Sequence, residues 1–505
     1  MSGRKEQHPS DEYSIRLEKL ERLRELGIDP YPARVQVDMP LHELRRNFSV
    51  LEGRGDAITV AGRVMSKRMH GKSSFAHIQD GSDKFQIYLK FDIVGEEQYK
   101  FYKKYIDVGD FVQVSGTLFK THTGEETLLV EKFVLLAKAL RPLPEKWHGL
   151  ADEDKKLRQR YLDMLMNPQV AERFIKRAKL LRSMRDFLDR HGFVEVETPI
   201  LQPIYGGANA RPFSTYHNAL DMKLFLRIAT ELYLKRLIIG GMDRVYEIGK
   251  NFRNEGIDRM HNPEFTALEV YEAYTDYDGM MKLTQALLRH IVEETSGSLS
   301  VTYQGIDTNL APDFKKIPFW QAIAERTGRD FSTAGRSELI EYLKAENIEF
   351  DENLPEYSLV DEIFKEKVEG TLIEPTFIVD YPLELSPLAK QKRENPALVE
   401  RFELFWYGME IANAFTELND PVEQRRRFEE QMERRAKGDP EAQILDEDFL
   451  TALEHGMPPT GGMGMGIDRL AMILTDSYTI RDVIIFPQLR TKTQNVIEDN
   501  DEDEK

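Results

Sequence analysis

Hydrophobic positions along this chain change period several times, and each change marks an element. Between Tyr13 and Leu26 the apolar residues Ile15, Leu17, Leu20, Leu23 and Leu26 recur at mixed helical spacing until Gly27 and Pro30 stop the run. An amphipathic helix is expected there. From Ala57 to Ala137 the period falls to two, in AITVAGRVM, SFAHIQD, KFQIYLKF, FVQVSGTLF and TLLVEKFVLL, with a helical stretch around Glu96 to Ile106 between the third and fourth. Pro142, Pro144 and Gly149 then mark a linker. Helical spacing returns near Pro168 and ends at Gly192, followed at once by FVEVETPIL, a strand whose Pro199 suits only an edge or a break. A strand around Lys223 to Ile228 and a helix from Ala229 to Ile239, carrying Glu231, complete this stretch.

The segment Arg244 to Tyr274 reads as two strands, Val245 to Arg253 and Glu264 to Tyr274, around a polar loop that contains Glu255, Gly256 and Asn262-Pro263. Alternation places Phe265, Ala267, Glu269 and Tyr271 on one face. An aromatic, a small residue, a carboxylate and a phenol make an odd core and a plausible ligand floor. Arg253 adds a permanently charged fork suited to carboxylate or phosphate oxygen. Taken alone, a solvated hairpin with a structural ion pair fits equally well.

Residues 275–372 alternate helical and loop segments without a chemical constellation, so a helical insertion is expected. RFELFWYGMEIANAFTELND reads as two strands around Gly408. Asn413 and Glu417 share a strand face, whereas Glu410 has the other parity, so a turn or bulge must intervene if all three meet one ligand. Carboxylates such as Glu403 and Glu410 suit hard cations that bridge phosphates, or simply a surface hairpin. GGMGMGIDRLAMILTD is Gly-rich and opens a helix, with Arg469 at its start, where an anion is favoured. Its spacing matches neither a Rossmann fingerprint nor a phosphate loop.

Five short strands with a helix between the third and fourth is the order of an OB barrel, a fold that often binds single-stranded nucleic acid. On its second strand Ala76 and Ile78 would face the core, leaving Phe75, His77 and Gln79 wet, with Gln86 outward on the third. Phe75 could stack a base or pack under a loop, and Gln86 could read a base edge.

Charge sharpens this picture. The chain of 505 residues carries a formal charge of −18, which argues against indiscriminate coating of nucleic acid. Yet Gly62 to Phe91 holds Arg63, Lys67, Arg68, Lys72, Lys84 and Lys90 against only Asp80 and Asp83, a local basic face. The absence of cysteine excludes disulfides and thiolate metal sites. No apolar run approaches the ~20 residues of a membrane span, and the first residues lack a secretory apolar stretch, so a cytoplasmic protein without a membrane partner is expected.

The sequence resembles the class II aminoacyl-tRNA synthetases, and within them the bacterial-type lysine enzymes, from about the first helix to about Leu489. The segment ending at Pro199 resembles the dimer-forming first motif, FRNEG with HNPEFTALEVYEAY the second, and GMGMGIDR the third. GGANARPFSTYHNALD, RIATELYLK, YPLELSPLAK and EIANAFTELND resemble the lysine enzyme more than its aspartate and asparagine relatives. Chemistry agrees, since Glu269, Tyr271, Asn413 and Glu417 offer acceptors and negative charge to an ammonium and no cation.

The resemblance implies an α+β protein: a five-stranded OB barrel that binds the anticodon, then a class II domain whose antiparallel sheet is flanked by helices. Expected bounds are a helical segment 1–56, barrel 57–140, linker 141–160, catalytic domain 161–495 with the insertion 275–372, and a disordered acidic tail 496–505. It also implies roles. Arg253 would hold the α-carboxylate and α-phosphate, and Glu231 with Gly207 the α-amino group; Arg253 and Arg469 would be the catalytic pair. Glu255, His261 and Arg469 would contact ATP, with Phe265 on the adenine, while Glu403 and Glu410 would bind Mg2+. Glu269, Tyr271 and Glu417 would hold the ε-ammonium, Asn413 nearby. Phe75, Gln86, Arg68 and Glu131 would read a uridine-rich anticodon. Departures are small: Ala412 and Ala414 stand where glycine is also common, and Asp258-Arg259-Met260 fills a variable loop. The implied partners are lysine, ATP, tRNA(Lys) and a second copy in a homodimer. Two other readings stay open, a protein-lysylating paralogue and an inactive RNA-binding regulator.

Overall fold

A computed structural model of the chain describes residues 9–144, 152–352, 354–436 and 444–490. The expected tail 496–505 lies outside the described residues, as does most of the Leu140 to Leu150 linker. The chain divides into two compact units, Met1–Ala151 and Asp152–Lys505.

In the first unit, strands β1 (Ile58–His70), β2 (Ser73–Gln79), β3 (Lys84–Lys90), β4 (Phe111–Lys120) and β5 (Glu126–Ala137) close a barrel in the order β1-β2-β3-β5-β4. Alternation does the work expected of it: Ala76, Ile78, Ile87, Val112, Val114 and Leu128 fill the interior. A register shift between Ser115 and Gly116 brings β5 so close that a Cβ at Gly116 would lie 1.8 Å from the Leu129 carbonyl oxygen, so only glycine fits there. The helix Pro9–Glu25 is fastened by Arg16, a buried guanidinium that donates to the carbonyls of Val108 at 3.0 Å and Ala139 at 3.2 Å.

The second unit begins with helices Glu153–Arg158 and Arg160–Met166, which start inside the stretch 141–160 expected to be linker. Beyond the helix Pro168–Arg190, β6 (Val194–Glu195) and β7 (Leu201–Gln202) take up only parts of FVEVETPIL, and they belong to different sheets. Pro199 sits between them. β7 joins β8 (Ser214–His217) and β9 (Met222–Leu226). The main sheet also uses β10 (Arg244–Phe252) and β11 (Glu264–Ala273), followed by a separate hairpin of β12 (Ser300–Tyr303) and β13 (Ile306–Asn309). β14 (Lys315–Pro318), β15 (Thr376–Val379), β16 (Arg401–Trp406), β17 (Met409–Thr416) and β18 (Thr460–Gly466) complete its eight strands, ordered β14-β15-β16-β17-β18-β11-β10-β6. The centre is antiparallel, as expected, but β14 and β6 run parallel to their neighbours, so the sheet is mixed.

The expected helical insertion 275–372 is corrected in two places. Helix Tyr277–Ser296 packs into the main core, and β14 is an edge of the main sheet. Only the later helices, Phe319–Thr327, Arg336–Ala345 and Glu356–Lys367, build a cluster of their own, around Phe319, Leu339 and Phe364.

One face of the main sheet, bearing Tyr246, Leu268, Val270, Ala412, Ala414, Met463 and Met465, is buried under Pro168–Arg190, Tyr277–Ser296 and Ile467–Leu474. Alternation turns the intervening residues to the other face, where the cleft lies. Among the described residues no helix is long and apolar enough to cross a membrane.

Candidate active site

The cleft has a cavity volume of about 210 Å3, and its walls include Phe265, Ala267, Glu269 and Tyr271, the face that alternation predicts for β11. Gly207, Glu231, Arg253, Glu255, His261, Glu410, Asn413 and Arg469 line it as well. Residues spread over more than 260 positions of sequence thus meet because β11, β18 and β17 are neighbours.

Arg253 follows β10, its amide donating to the Pro263 carbonyl at 2.8 Å and its guanidinium lying 5.1 Å from the centre of the Phe265 ring. Its buried Nε has no hydrogen-bond partner among the described residues. The polar loop between β10 and β11 is ordered by Asp258, whose carboxylate accepts from the amides of Met260 and His261 and from His261 Nδ1 at 2.7 Å. Burial pushes the Asp258 carboxyl up, but His261 and these amides outweigh it and hold it below its ordinary value. With Nδ1 donating, His261 Nε2 is free to accept from Arg469, 3.0 Å away. Arg469 also donates to the Glu410 carbonyl at 2.9 Å and carboxylate at 3.1 Å. One end of the cleft therefore presents two guanidinium groups, Arg469 aimed by Glu410 and His261 and Arg253 beside the Phe265 ring, a setting for phosphate oxygens.

Glu403 and Glu410 sit on paired strands whose register shifts between Leu404 and Phe405, the irregularity that the parity of Glu410 requires. Glu410 lines the cleft; Glu403 does not, and its two oxygens accept from Arg401 at 2.5 Å and Tyr381 at 2.8 Å. Burial and the neighbouring Glu410 push the Glu403 carboxyl up to about 7, with Arg401 opposing. A dication beside the pair would relieve that repulsion, and magnesium commonly shares one or two carboxylates with phosphates. Among the described residues no three His, Cys, Asp or Glu side chains form a metal cage by themselves. The donor set fits an ion completed by phosphate.

The other end is acidic and buried. Glu269 accepts from the Thr230 amide at 3.0 Å and from the Tyr271 hydroxyl at 3.2 Å. Glu231, on the first turn of helix Glu231–Ile239, accepts from Lys235 at 2.5 Å. Glu417 is fully buried, ion-paired with Lys235, and neither of its oxygens receives an aligned hydrogen bond among the described residues. Burial pushes all three carboxyls up, and it raises the Tyr271 phenol so far that it stays neutral. Carboxylates buried together in this way keep their charge only where cations pair with them, and Lys235 already pairs with two.

β18 is the floor between these ends. Register aligns Glu269, Gly464, Asn413 and Glu403 in one lateral row, and Tyr271, Gly462 and Phe415 in the next. A Cβ at Gly462 would lie 2.0 Å from Glu417 Oε1 and 2.6 Å from the Tyr271 ring. Glu417 Oε1 takes up the space left by that bare backbone, although Glu417 is not among the residues that line the cleft.

The sequence model described as tRNA synthetases class II (D, K and N) matches residues 152–490, and one described as an OB-fold nucleic acid binding domain matches 58–136. The chain belongs to the class II tRNA synthetases. Similar proteins named lysine–tRNA ligase include that of Carboxydothermus hydrogenoformans, 54% identical over 95% of this chain and 98% of its own. Those of Thermoanaerobacter sp. (52%, covering 95% and 96%) and Moorella thermoacetica (51%, covering 96% and 99%) are also similar.

The barrel of this synthetase carries its own candidate face. Arg68, Phe75, Tyr88 and Leu129 are directly opposed on β1, β2, β3 and β5. Phe75 and Tyr88 stack with ring centres 4.4 Å apart, both half-buried, and Tyr88 lies 6.0 Å from Phe119. Glu131 shares the outward parity of Leu129 and is exposed. Gln86 corrects the expectation of an open base reader: it faces outward opposite His77, yet it is buried and its Oε1 accepts from the Thr127 hydroxyl at 2.7 Å. Tyr88 was legible, since it follows Gln86 at the strand period. Lys235, one helical turn after Glu231, and Arg401, two residues before Glu403 on the same strand face, also go beyond the sequence reading.

Proposed function

We propose that the chain is a lysine–tRNA ligase, which joins lysine and ATP into lysyl-adenylate and passes lysine to the 3′-terminal adenosine of tRNA(Lys). The acid end of the cleft carries the choice of lysine: Glu231, Glu269 and Glu417 are buried there with one cation among them. That arrangement accepts an ammonium and repels the side chain of aspartate. The similarity to lysine–tRNA ligases along nearly the whole chain supports the same reading.

The carboxylate oxygen of lysine bonds to the α-phosphorus of ATP as the bond to pyrophosphate breaks and its electron pair leaves with pyrophosphate. The 3′-hydroxyl of the terminal adenosine then attacks the lysyl carbonyl carbon, and AMP leaves. Arg253 holds the carboxylate and α-phosphate in line; Arg469 meets the γ-phosphate; Glu231 and Gly207 hold the α-amino group. Glu255 and His261 contact the nucleotide, with Phe265 against adenine. Glu269, Tyr271 and Glu417 hold the ε-ammonium, with Asn413 beside them. No side chain serves as nucleophile, so positioning and charge neutralisation supply the rate. Glu403 and Glu410 would hold magnesium, which would supply positive charge against the phosphates.

Phe75, with Arg68 and Glu131, reads the anticodon. The exposed Val194, Ile200 and Leu201 support a homodimer formed near the β6 edge. The compartment proposed is the cytoplasm.

ATP–pyrophosphate exchange with each amino acid tests the reading, followed by charging of bulk tRNA. Lysine-dependent exchange with charging is expected. Exchange with aspartate or asparagine would overturn the pocket assignment, exchange without charging would favour a protein acceptor, and no exchange an inactive RNA binder.

A further inference from the structure

The activation chemistry above makes no use of Lys235, whose ammonium pairs with two acids of the cluster. It projects from helix Glu231–Ile239 one turn beyond Glu231 and is fully buried. Its Nζ lies 2.5 Å from Glu231 Oε1 and pairs with Glu417, between the rings of Phe415 at 5.5 Å and Phe449 at 5.8 Å. Desolvation disfavours this charge, yet Glu231 and Glu417 outweigh it and hold the ammonium above its ordinary value. A pair serving only the packing of the helix needs one acid. Lys235 spans two, and the second is the carboxylate with no aligned hydrogen bond.

The count of charge gives this geometry a purpose. When ionised, Glu231, Glu269 and Glu417 bring three negative charges, and Glu269 accepts from the Thr230 amide and the Tyr271 hydroxyl, both neutral. Lys235 cancels one. Lysine arrives with two ammonium groups, and its carboxylate is directed to Arg253.

We propose that Lys235 is a positioning residue that sets the charge of the amino-acid pocket, holding Glu231 and Glu417 ionised and in place so that two negative charges remain for the two ammonium groups of lysine. This inference rests on the lysine reading of the cleft. Without Lys235, Glu417 faces Glu231, Glu269 and Tyr271 in a desolvated site and takes up a proton. A neutral carboxyl no longer pairs with the substrate. The other cations nearby do not replace it: Arg401 is engaged by Glu403 and Asn413, and Lys390, beside the Ala389 bridge to Glu417, turns to Asn419. An amino acid with a single ammonium would leave one buried carboxylate bare, which adds to selectivity.

The test is steady-state exchange in the full-length protein, starting with the parent; absence of lysine-dependent exchange there overturns the lysine reading rather than the role of Lys235. In Lys235→Met and Lys235→Gln the KM for lysine is expected to rise about 30-fold, with the KM for ATP within about twofold of the parent. The KM for lysine of these variants should fall as pH rises and Glu417 ionises, and that fall should come at higher pH than in the parent, where Lys235 opposes the upward push of burial on the Glu417 carboxyl. Lys235→Arg, which keeps the charge, should recover much of the loss. Should the single uncharged variants fail to fold, Lys235→Met combined with Glu417→Gln removes base and acid together. Its KM for lysine should match that of Glu417→Gln alone, because Lys235 acts through Glu417. A KM for lysine equal to the parent's at every pH in the single variants, or additive losses in the double variant, overturns the proposal.

Discussion

Two lateral rows of side chains, one on each unit, use the same device to opposite effect. On the barrel, Arg68, Phe75, Tyr88 and Leu129 cross four strands with half-exposed rings. Across the main sheet, Glu269, Gly464, Asn413 and Glu403 cross four strands with buried charge. A ring on a wet surface has a face to offer whatever lies beside it, so the barrel row tolerates neighbours of many kinds. A buried carboxylate demands a particular partner, so the sheet row is selective and costly to disturb. Affinity that tolerates variation and selectivity that does not are thus separated into different units.

Substitutions can break or sharpen that contrast. The largest loss is expected from Arg253→Ala, which removes the fork proposed to hold the reacting carboxylate: lysine-dependent exchange should drop by about 10³ or more, with the melting temperature nearly unchanged. Glu417→Gln should act mainly on the amino acid, raising the KM for lysine by about 100-fold while the KM for ATP stays put. On the barrel side, Phe75→Ala should raise the KM for tRNA by about tenfold in charging assays and leave pyrophosphate exchange untouched. Equal losses in exchange and charging would erase the contrast.

The smallest effect concerns Glu369, whose carboxyl is pushed up to about 8 by burial and by the neighbouring Glu403 and Glu410. A carboxyl with a raised folded-state value keeps its proton longer in the folded state. Its ionisation therefore costs stability progressively as pH rises from the unfolded value toward about 8. Glu369→Gln should match the parent near pH 5 and exceed it by about 1–2 kcal/mol near pH 9, read as thermal unfolding at both.

How far the sequence carried the fold depended on who the neighbours were. The hairpin of β10 and β11 was legible because its residues alternate and its partner is adjacent in sequence, and the same parity placed Phe265, Glu269 and Tyr271 on the cleft side. The barrel strands were legible for the same reason. FVEVETPIL looked like one strand, but Pro199 lacks an amide donor and the segment divides between two sheets. β14, only Lys315–Pro318 and mostly polar, carries no pattern of its own; it is a strand because β15 offers it an edge. Gln86 misled because parity fixes which face a side chain takes, not how deeply its neighbours cover it, and the Thr127 hydroxyl reaches it from a strand 41 residues away. Lys235 escaped because a lysine on an amphipathic helix reads as solvent-facing until the acids that bury it are known.

Gly462 gives the cleft a ruler made of a missing atom. Tyr271 and Glu417 reach into the space where any other residue would carry its first side-chain carbon. The depth available to a substrate is therefore written in backbone, which point mutation cannot retouch gradually. Every coding change away from glycine shortens the pocket in one step, and none lengthens it. A lineage could trade one carboxylate for another along the walls, but at this strand its options are to keep the glycine or to abandon the long substrate.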